Sequence, residues 1–189
     1  MSFPTGYRTK LLGALQTIDA AKVDEAIRVF ARAREEDRQI FVFGNGGSAA
    51  TANHFACDIV KGASYGRNQR FRIMALSEQI PTMTAYANDV GYDAVFVEQL
   101  KNFARPRDVA VAISGSGNSA NVIRAIEYAR SAGCYTIGLS GMTGGKLRPL
   151  VDLSLHVDDH HMGRVEDAHM VIMHMICYYF MDREAPAEA

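Results

Sequence analysis

The residues with the clearest chemical potential form two pairs of one histidine and one carboxylate, each pair on its own predicted helix. His54 and Asp58 are four residues apart, so a helix places both side chains on one face. Glu166 and His174 are eight residues apart, and about 80° of rotation and about 12 Å of rise keep them from touching. A metal between them could still be reached by both, or they could face sites in different subunits. Such groups could hold a divalent transition metal or transfer protons.

Two segments rich in glycine and serine each follow a predicted strand and open a helix: Gly44–Ser48 (GNGGS) and Ser114–Ser119 (SGSGNS). Glycine allows a sharp turn close to a ligand, and the N–H groups at a helix N-terminus favour an anion. Either loop alone could be an ordinary turn with a helix cap. Two such loops after separate strands predict a small phosphorylated ligand. The first loop is not a dinucleotide fingerprint, because Ala49 stands in place of the third glycine, and it is not a P-loop, which requires Gly-Lys followed by Ser or Thr.

Alternating strand and helix patterns predict a parallel sheet with helices on both faces. The predicted strands are Gln39–Phe43, Phe71–Leu76, Asp108–Ile113, Tyr135–Leu139 and Leu153–Val157. The predicted helices between them are Ala49–Lys61, Thr82–Asn88, Tyr92–Ala104 and Asn118–Ala132. In this architecture the ligand binds beyond the carboxyl ends of the strands, which is where both loops lie.

Helical periodicity also marks both ends of the chain. Tyr7–Arg34 reads as one or two amphipathic helices with a break near Asp19, and Arg164–Arg183 is apolar around most of its circumference. A helix of the second kind is buried inside the domain or between subunits. We therefore predict a single domain, with an N-terminal helical segment at 1–36 and an α/β core at 37–189 that includes the long C-terminal helix.

Composition excludes several classes of protein. A chain of 189 residues fits one domain, and its net charge of −1, from 20 basic and 21 acidic residues, argues against nucleic acid as the main partner. No apolar run approaches the roughly 20 residues that span a bilayer, and the N-terminus lacks a secretory signal. Cys57, Cys134 and Cys177 lack metal-site spacing, which predicts reduced thiols in the core of a cytoplasmic protein.

Four ordered segments resemble the sugar isomerase (SIS) domain family, and most of all its phosphoheptose isomerase branch. They are Gly44–Gly62 (GNGGSAATANHFACDIVKG), Tyr86–Phe96 (YANDVGYDAVF), Ser114–Ile126 (SGSGNSANVIRAI) and Arg164–Ile176 (RVEDAHMVIMHMI). The resemblance covers nearly the whole chain. It implies a three-layer α/β/α, flavodoxin-like domain with a parallel five-stranded sheet, in a homotetramer with active sites at subunit interfaces. It also implies zinc, and conversion of D-sedoheptulose 7-phosphate to D-glycero-D-manno-heptose 7-phosphate through an enediol.

The resemblance assigns the metal to His54, Asp58, Glu166 and His174. Together with the loop setting, it gives the expected substrate-binding residues: Asn45, Gly46, Gly47, Ser48, Asn88, Asp89, Ser114, Ser116, Ser119 and Glu166. The chain departs from the branch in having Asp58 where Glu is usual, Glu166 where Gln is usual, and Gly163 where an acidic residue is frequent.

The reaction needs a base that removes a proton beside a carbonyl and an acid that protonates the oxygen. Our hypothesis makes Asp58 the base and His174 the acid, with the metal at the enediolate oxygen. The alternative gives the base role to Glu166, because the Asp58 side chain is one methylene shorter than Glu. Lys61 and Arg164 are either supporting cations or solvated surface groups.

Three further expectations concern function and the remaining histidines. A related branch forms tetramers that bind a bacterial replication initiator, and this non-catalytic role is the main alternative; His54, an acid at position 58 and His174 favour catalysis. A ligand-sensing regulator is disfavoured, because the chain has no room for a DNA-binding domain. Asp158–His161 is predicted to be a polar loop rather than a metal site, although His160 or His161 could reach a neighbouring active site. His169 is expected to be buried or at an interface.

Overall fold

The structure of this protein, a computed structural model, describes residues 1–183 as a parallel sheet between two layers of helices. The elements are α1 (Phe3–Gln16), α2 (Ala20–Glu35), β1 (Gln39–Gly44), α3 (Gly47–Cys57), β2 (Arg72–Ala75), α4 (Ile80–Asp89), α5 (Val97–Phe103), β3 (Val109–Ser114), α6 (Ala120–Ser131), β4 (Tyr135–Ser140), α7 (Leu147–Leu150), β5 (Leu153–His156) and α8 (Met162–Arg183). All five predicted strands are present. The last six residues of the predicted core, 184–189, lie outside the described residues.

The strand order is β2-β1-β3-β4-β5, and every pairing is parallel. This is the flavodoxin-like order, in which the chain reverses direction across the sheet between β1 and β3. Gly44 pairs with Ile113, so the loops that follow β1 and β3 leave the sheet side by side. The predicted α/β/α class and its five-stranded sheet are confirmed, and the two loops meet at the point where such folds bind ligands.

Strand residues alternate between two hydrophobic clusters, one on each face of the sheet. Ile40 and Val42 join the cluster that includes α2, α3 and α8, whereas Phe41 and Phe43 join the cluster that includes α5 and α6. Burial on both faces explains why the strand at Gln39–Gly44 is almost continuously apolar in sequence.

Asp19 separates the two N-terminal helices, as the sequence predicts. Its carboxylate accepts hydrogen bonds from the backbone N–H groups of Ala21 and Lys22, at 3.1 and 3.3 Å, and so caps α2. The apolar stripe of α2 packs in the same hydrophobic cluster as α8. The N-terminal helices therefore share the core of the sheet domain.

Two predicted helices are interrupted. The helix predicted at Ala49–Lys61 is α-helical only to Cys57 and continues as a π turn, Asp58–Gly62. Gly62 permits close packing there, because a side chain at this position would overlap Met181 of α8. The helix predicted at Tyr92–Ala104 divides into a 3₁₀ turn, Tyr92–Ala94, and α5. A π turn inside a helix is frequent at functional sites.

The cysteine prediction is correct for two residues and wrong for one. Cys134 and Cys177 are buried free thiols, but Cys57 is exposed because it lies just beyond the buried stripe of α3.

His169 is fully buried inside the domain, which is one of the two positions expected for it. Burial lowers the pKa of His169 to about 4, although the backbone of Ser140 acts in the opposite direction. Within residues 1–183, no helix has the length and apolarity that a membrane crossing requires.

Candidate active site

Three of the four predicted metal ligands converge between α3 and α8. The Nε2 atom of His54 lies 3.1 Å from Oδ2 of Asp58 and 3.3 Å from Nε2 of His174. The distance from His174 Nε2 to Asp58 Oδ2 is 3.7 Å. Two residues on one helix and one from the far end of the chain thus present their polar atoms to a single point.

The spacing of these atoms fits a transition metal. Ligand atoms held about 2.0–2.1 Å from a tetrahedral zinc ion are about 3.3–3.4 Å apart, close to the distances just given. The three candidate ligand atoms all lie within 4.8 Å of one another. Three protein ligands also leave a fourth position for water or substrate, which is the arrangement of catalytic rather than structural zinc sites.

Glu166 lies outside this three-residue cluster. A Cβ atom placed on Gly47 would be 2.5 Å from Oε1 of Glu166, so this carboxylate packs against the start of α3. His54 lies seven residues further along α3, about 10 Å of helical rise away. The structure therefore places Glu166 beside the first glycine loop, at one end of the contact between α3 and α8. His54 and His174 lie at the other end of this contact.

Cys177 also lies at this contact between α3 and α8, although the sequence did not indicate it as part of the site. Its Sγ lies 3.8 Å from Oδ2 of Asp58. Burial, together with the charge of Asp58, raises the pKa of Cys177 to about 12, so the thiol stays protonated and acts as a weak donor. Its position three residues after His174, on the same helical face, was the available sequence signal.

The loop after β1 has the backbone geometry of an anion site. Gly46 has a φ of 54° and stands at the N-cap of α3, where no side chain caps the helix. Glycine tolerates this left-handed conformation without strain. Ser48 is buried in the first turn of α3. Uncapped N–H groups and a hydroxyl at a helix start favour a phosphate group.

The loop after β3 presents three hydroxyls. Ser114 Oγ and Ser119 Oγ are 3.2 Å apart, and Ser116 Oγ accepts a hydrogen bond of 3.2 Å from the backbone N–H of Asn118. Ser119 stands at the N-cap of α6, but its side chain makes no capping bond. Because one of the paired hydroxyls of Ser114 and Ser119 donates to the other, one hydroxyl proton of the pair remains available to a ligand.

A third glycine segment, which the sequence did not mark as part of the site, supports the loop after β3. Gly117 has a φ of 66°, and a Cβ atom there would overlap the carbonyl oxygen of Gly144. The backbone N–H of Leu147 donates to Gly117 O at 3.0 Å. The turn after β4 therefore holds the serine loop through backbone contacts that only glycine permits.

The polar residues predicted to contact sugar hydroxyls lie near the first loop. Tyr92 OH donates to Asn45 Oδ1 at 2.9 Å, and the turn before Tyr92 carries Asn88 and Asp89. These two are exposed at the end of α4, where Asn88 Nδ2 donates to Asp89 Oδ1 at 2.7 Å. Asn121 also contacts Asn45, at 2.9 Å, and was not among the predicted residues.

The candidate supporting cations have different surroundings. Arg164 donates from Nε and Nη2 to Asp159, both at 2.7 Å, so it ties the polar loop Asp158–His161 to α8. This loop stands apart from the histidine cluster, and within residues 1–183 the cluster is the only group with metal-ligand spacing. Lys61 is exposed in the π turn.

The histidine cluster is open to solvent in a single chain. A cleft of about 720 Å³ lies at the opposite, amino-terminal edge of β3 and β4 and includes none of the predicted site residues. At the histidine cluster, the side chains of His54 and His174 are 49% and 40% exposed, and that of Asp58 is 25% exposed. One chain therefore leaves the cluster uncovered on one side.

Comparison with known proteins relates this chain to one family. The SIS domain family profile matches residues 6–141. A phosphoheptose isomerase of Geobacter sulfurreducens is 40% identical over 168 residues, 89% of this chain and 88% of that protein. One from Crocosphaera subtropica is 39% identical over 82% of this chain and 79% of that protein. The structure of a phosphoheptose isomerase from Neisseria gonorrhoeae superposes with a TM-score of 0.86 at 31% identity, covering 93% of this chain and 95% of that one.

Proposed function

Because this chain belongs to the SIS domain family, and within it to the phosphoheptose isomerases, we propose that it converts D-sedoheptulose 7-phosphate to D-glycero-D-manno-heptose 7-phosphate. The observation that carries this proposal is the convergence of His54, Asp58 and His174 along the helix that starts at the first glycine loop. A heptulose 7-phosphate carries its phosphate and its carbonyl near opposite ends. The separation of about 10 Å along α3 between loop and cluster suits such a molecule.

The phosphate is held by the two loops at the switch point of the sheet. Ser114, Ser116 and Ser119 supply hydroxyl donors, and the uncapped start of α3 with Ser48 supplies further donors. The backbone of Gly46 and Gly47 belongs to the proposed phosphate site, and Asn45, Asn88 and Asp89 are the proposed contacts to the sugar hydroxyls. Neutral donors at helix starts bind a phosphate without a paired cation, which agrees with the engagement of Arg164 by Asp159.

Asp58 is the proposed base and His174 the proposed acid. The contacts of Asp58 with His54, His174 and Cys177 all use Oδ2, which supports Oδ1 as the atom that takes a proton from C1 of the ketose and returns one at C2. His174 moves the proton between the two oxygens of the enediol through Nδ1, because Nε2 is the atom that faces the metal site. Glu166 remains the alternative base, and its place against Gly47 favours a role nearer the phosphate loops.

A metal is part of the proposal. His54, Asp58 and His174 would hold it. Glu166, the fourth proposed ligand, would have to come from a neighbouring subunit, because within one chain its carboxylate packs against Gly47. When bound, zinc or another divalent transition metal supplies positive charge that polarises the carbonyl and stabilises the enediolate. Asp58 and the two histidines also hold the carbonyl end of the substrate in the orientation that proton transfer requires.

We further propose that the active enzyme is a cytoplasmic homotetramer with its sites at subunit interfaces. Met175, Tyr178 and Tyr179 expose 41–49% of their surface on α8 beside His174. Val60 is 51% exposed next to Asp58. Apolar groups around an open polar cluster are typical of surfaces that another subunit covers, and a second copy would exclude water from the cluster.

Purified protein incubated with sedoheptulose 7-phosphate should form the aldose phosphate. Removal of bound metal with a chelator should lower the rate at least 100-fold, because the charge at the developing enediolate is lost, and added zinc should restore it. The rate is followed by chromatography of the sugar phosphates. A stable tetramer that forms no product but binds a replication initiator protein tightly would instead support the scaffold alternative.

A further inference from the structure

Asn45 is the meeting point of three separate parts of the chain. Its Nδ2 donates to Asn121 Oδ1 at 2.9 Å, while its Oδ1 accepts from Asn121 Nδ2 at 2.9 Å and from Tyr92 OH at 2.9 Å. Asn45 lies in the loop after β1, Asn121 in the first turn of α6, and Tyr92 in the 3₁₀ turn that follows Asn88 and Asp89. The side chain of Asn121 is buried, with 3% of the residue exposed.

A backbone donor fixes the orientation of both amides. The N–H of Val122 donates to Oδ1 of Asn121 at 3.0 Å, and a backbone N–H can only donate. Oδ1 of Asn121 must therefore face this N–H, which leaves Nδ2 of Asn121 to face Asn45. The reciprocal pair then requires Asn45 to present its Oδ1 to Asn121 Nδ2 and its Nδ2 to Asn121 Oδ1.

This orientation limits what Asn45 can offer a ligand. Both lone pairs of its Oδ1 are occupied, by Asn121 and Tyr92, and one of its two N–H bonds is used by Asn121. One N–H donor remains. Asn45 can therefore contact an oxygen acceptor of the sugar, but it cannot accept a hydrogen bond from a sugar hydroxyl.

We propose that Asn121 and Tyr92 are positioning residues that hold Asn45 as a donor to one substrate oxygen and fasten the Asn88–Asp89 turn to both phosphate loops. This inference rests on the proposed function, since it assigns a task within that substrate site. The two residues act through Asn45 and through the relative placement of the loops rather than by contact with the reacting atoms.

The test compares Asn121→Asp and Tyr92→Phe with the wild-type enzyme. Asn121→Asp keeps the shape and the acceptor for Val122 N–H, but it places a second acceptor against Oδ1 of Asn45. We expect KM for sedoheptulose 7-phosphate to rise about 5- to 30-fold in Asn121→Asp, and less in Tyr92→Phe, which removes one donor only. Inhibition by inorganic phosphate should stay within twofold in Tyr92→Phe, which changes no charge and leaves the serine loop as it is. Asn121→Asp is not used for this comparison, because its added carboxylate in the first turn of α6 repels phosphate directly.

Arg124→Gln is the matched control. Arg124 pairs with Asp93 at 2.6 Å and so ties the same 3₁₀ turn to α6 without contacting Asn45. Its KM should stay near the wild-type value.

Tyr92→Phe and Asn121→Asp both act on the amide of Asn45, so their effects should be less than additive in the double variant.

An unchanged KM in both variants, or an equal weakening of inorganic phosphate in Tyr92→Phe, overturns the positioning role. If Asn121→Asp proves unfolded by circular dichroism, Tyr92→Phe still decides the question, since Tyr92 is exposed and its phenyl ring is kept. Failure of the wild-type enzyme to turn over the sugar phosphate is a separate result that rejects the proposed function. In that case calorimetric titration with sedoheptulose 7-phosphate makes the same comparison, and absence of wild-type binding rejects both.

Discussion

The Asp58→Asn variant should fold normally but turn over sedoheptulose 7-phosphate about 10²- to 10⁴-fold more slowly than the wild-type enzyme. The amide cannot take a proton from C1, and general base catalysis is worth about that factor. The substitution keeps the size of the side chain and its acceptor oxygen toward His54 and Cys177. The measurements are kcat, zinc content and thermal unfolding of both proteins.

Glu166→Gln is the matched comparison, because it makes the same change of carboxylate to amide on the neighbouring helix. If Asp58 is the base, this variant should keep its kcat within about tenfold. Zinc content separates loss of the base from loss of the metal. An active Asp58→Asn protein, together with an inactive Glu166→Gln protein, would transfer the base role to Glu166.

The second large effect is expected at the loop that holds the phosphate. Gly117→Ala should raise KM at least 10-fold, because a Cβ atom would overlap the carbonyl oxygen of Gly144 in a left-handed backbone conformation. The loop must then shift, which moves Ser116 and Ser119 away from the phosphate. Unfolding free energy should also fall, by about 1–2 kcal/mol for the backbone strain alone. Steady-state kinetics and urea unfolding measure the two effects.

Gly133→Ala provides the control for backbone strain. Gly133 has a φ of 81°, but its added Cβ would lie 3.4 Å from Pro106, an ordinary contact, and this turn precedes β4 at the opposite edge of the sheet. The variant should lose stability to a similar or smaller degree and keep its KM. Equal KM values for Gly117→Ala and the wild-type enzyme would show that the packing against Gly144 does not set phosphate binding.

Local sequence patterns were sufficient to predict a parallel sheet with helices on both faces, whereas the flavodoxin-like class followed from the family resemblance. The five predicted strands are short and mostly apolar, and four of them are followed directly by glycine or serine. The helices between them have a clear period. The break at Asp19 was predictable because a capping aspartate acts on the next three residues alone. The π turn at Asp58–Gly62 was not, because no local pattern marks it. In the fold, Gly62 at its end packs against Met181, more than one hundred residues away in the chain.

The site was predictable in its residue types but not in its geometry. The helical spacing of His54 and Asp58 follows from sequence, whereas the approach of His174 depends on how α8 packs along α3. The same packing places Glu166 against Gly47 rather than among the histidines. Asn121 was missed because an asparagine in the first turn of a helix carries no signal of a partner 76 residues away. Gly144 was missed for the same reason.

The most direct test of proton transfer at this cluster is the reaction of the wild-type enzyme with sedoheptulose 7-phosphate in deuterium oxide. A proton on a carboxylate is chemically exchangeable, so a proton that Asp58 carries should be replaced by deuterium, at least in part, before it is returned to the sugar. The aldose phosphate should therefore contain deuterium at C2 when examined by mass spectrometry and NMR. Aldose formed without deuterium, or no aldose at all, would contradict isomerisation through an enediol at His54, Asp58 and His174.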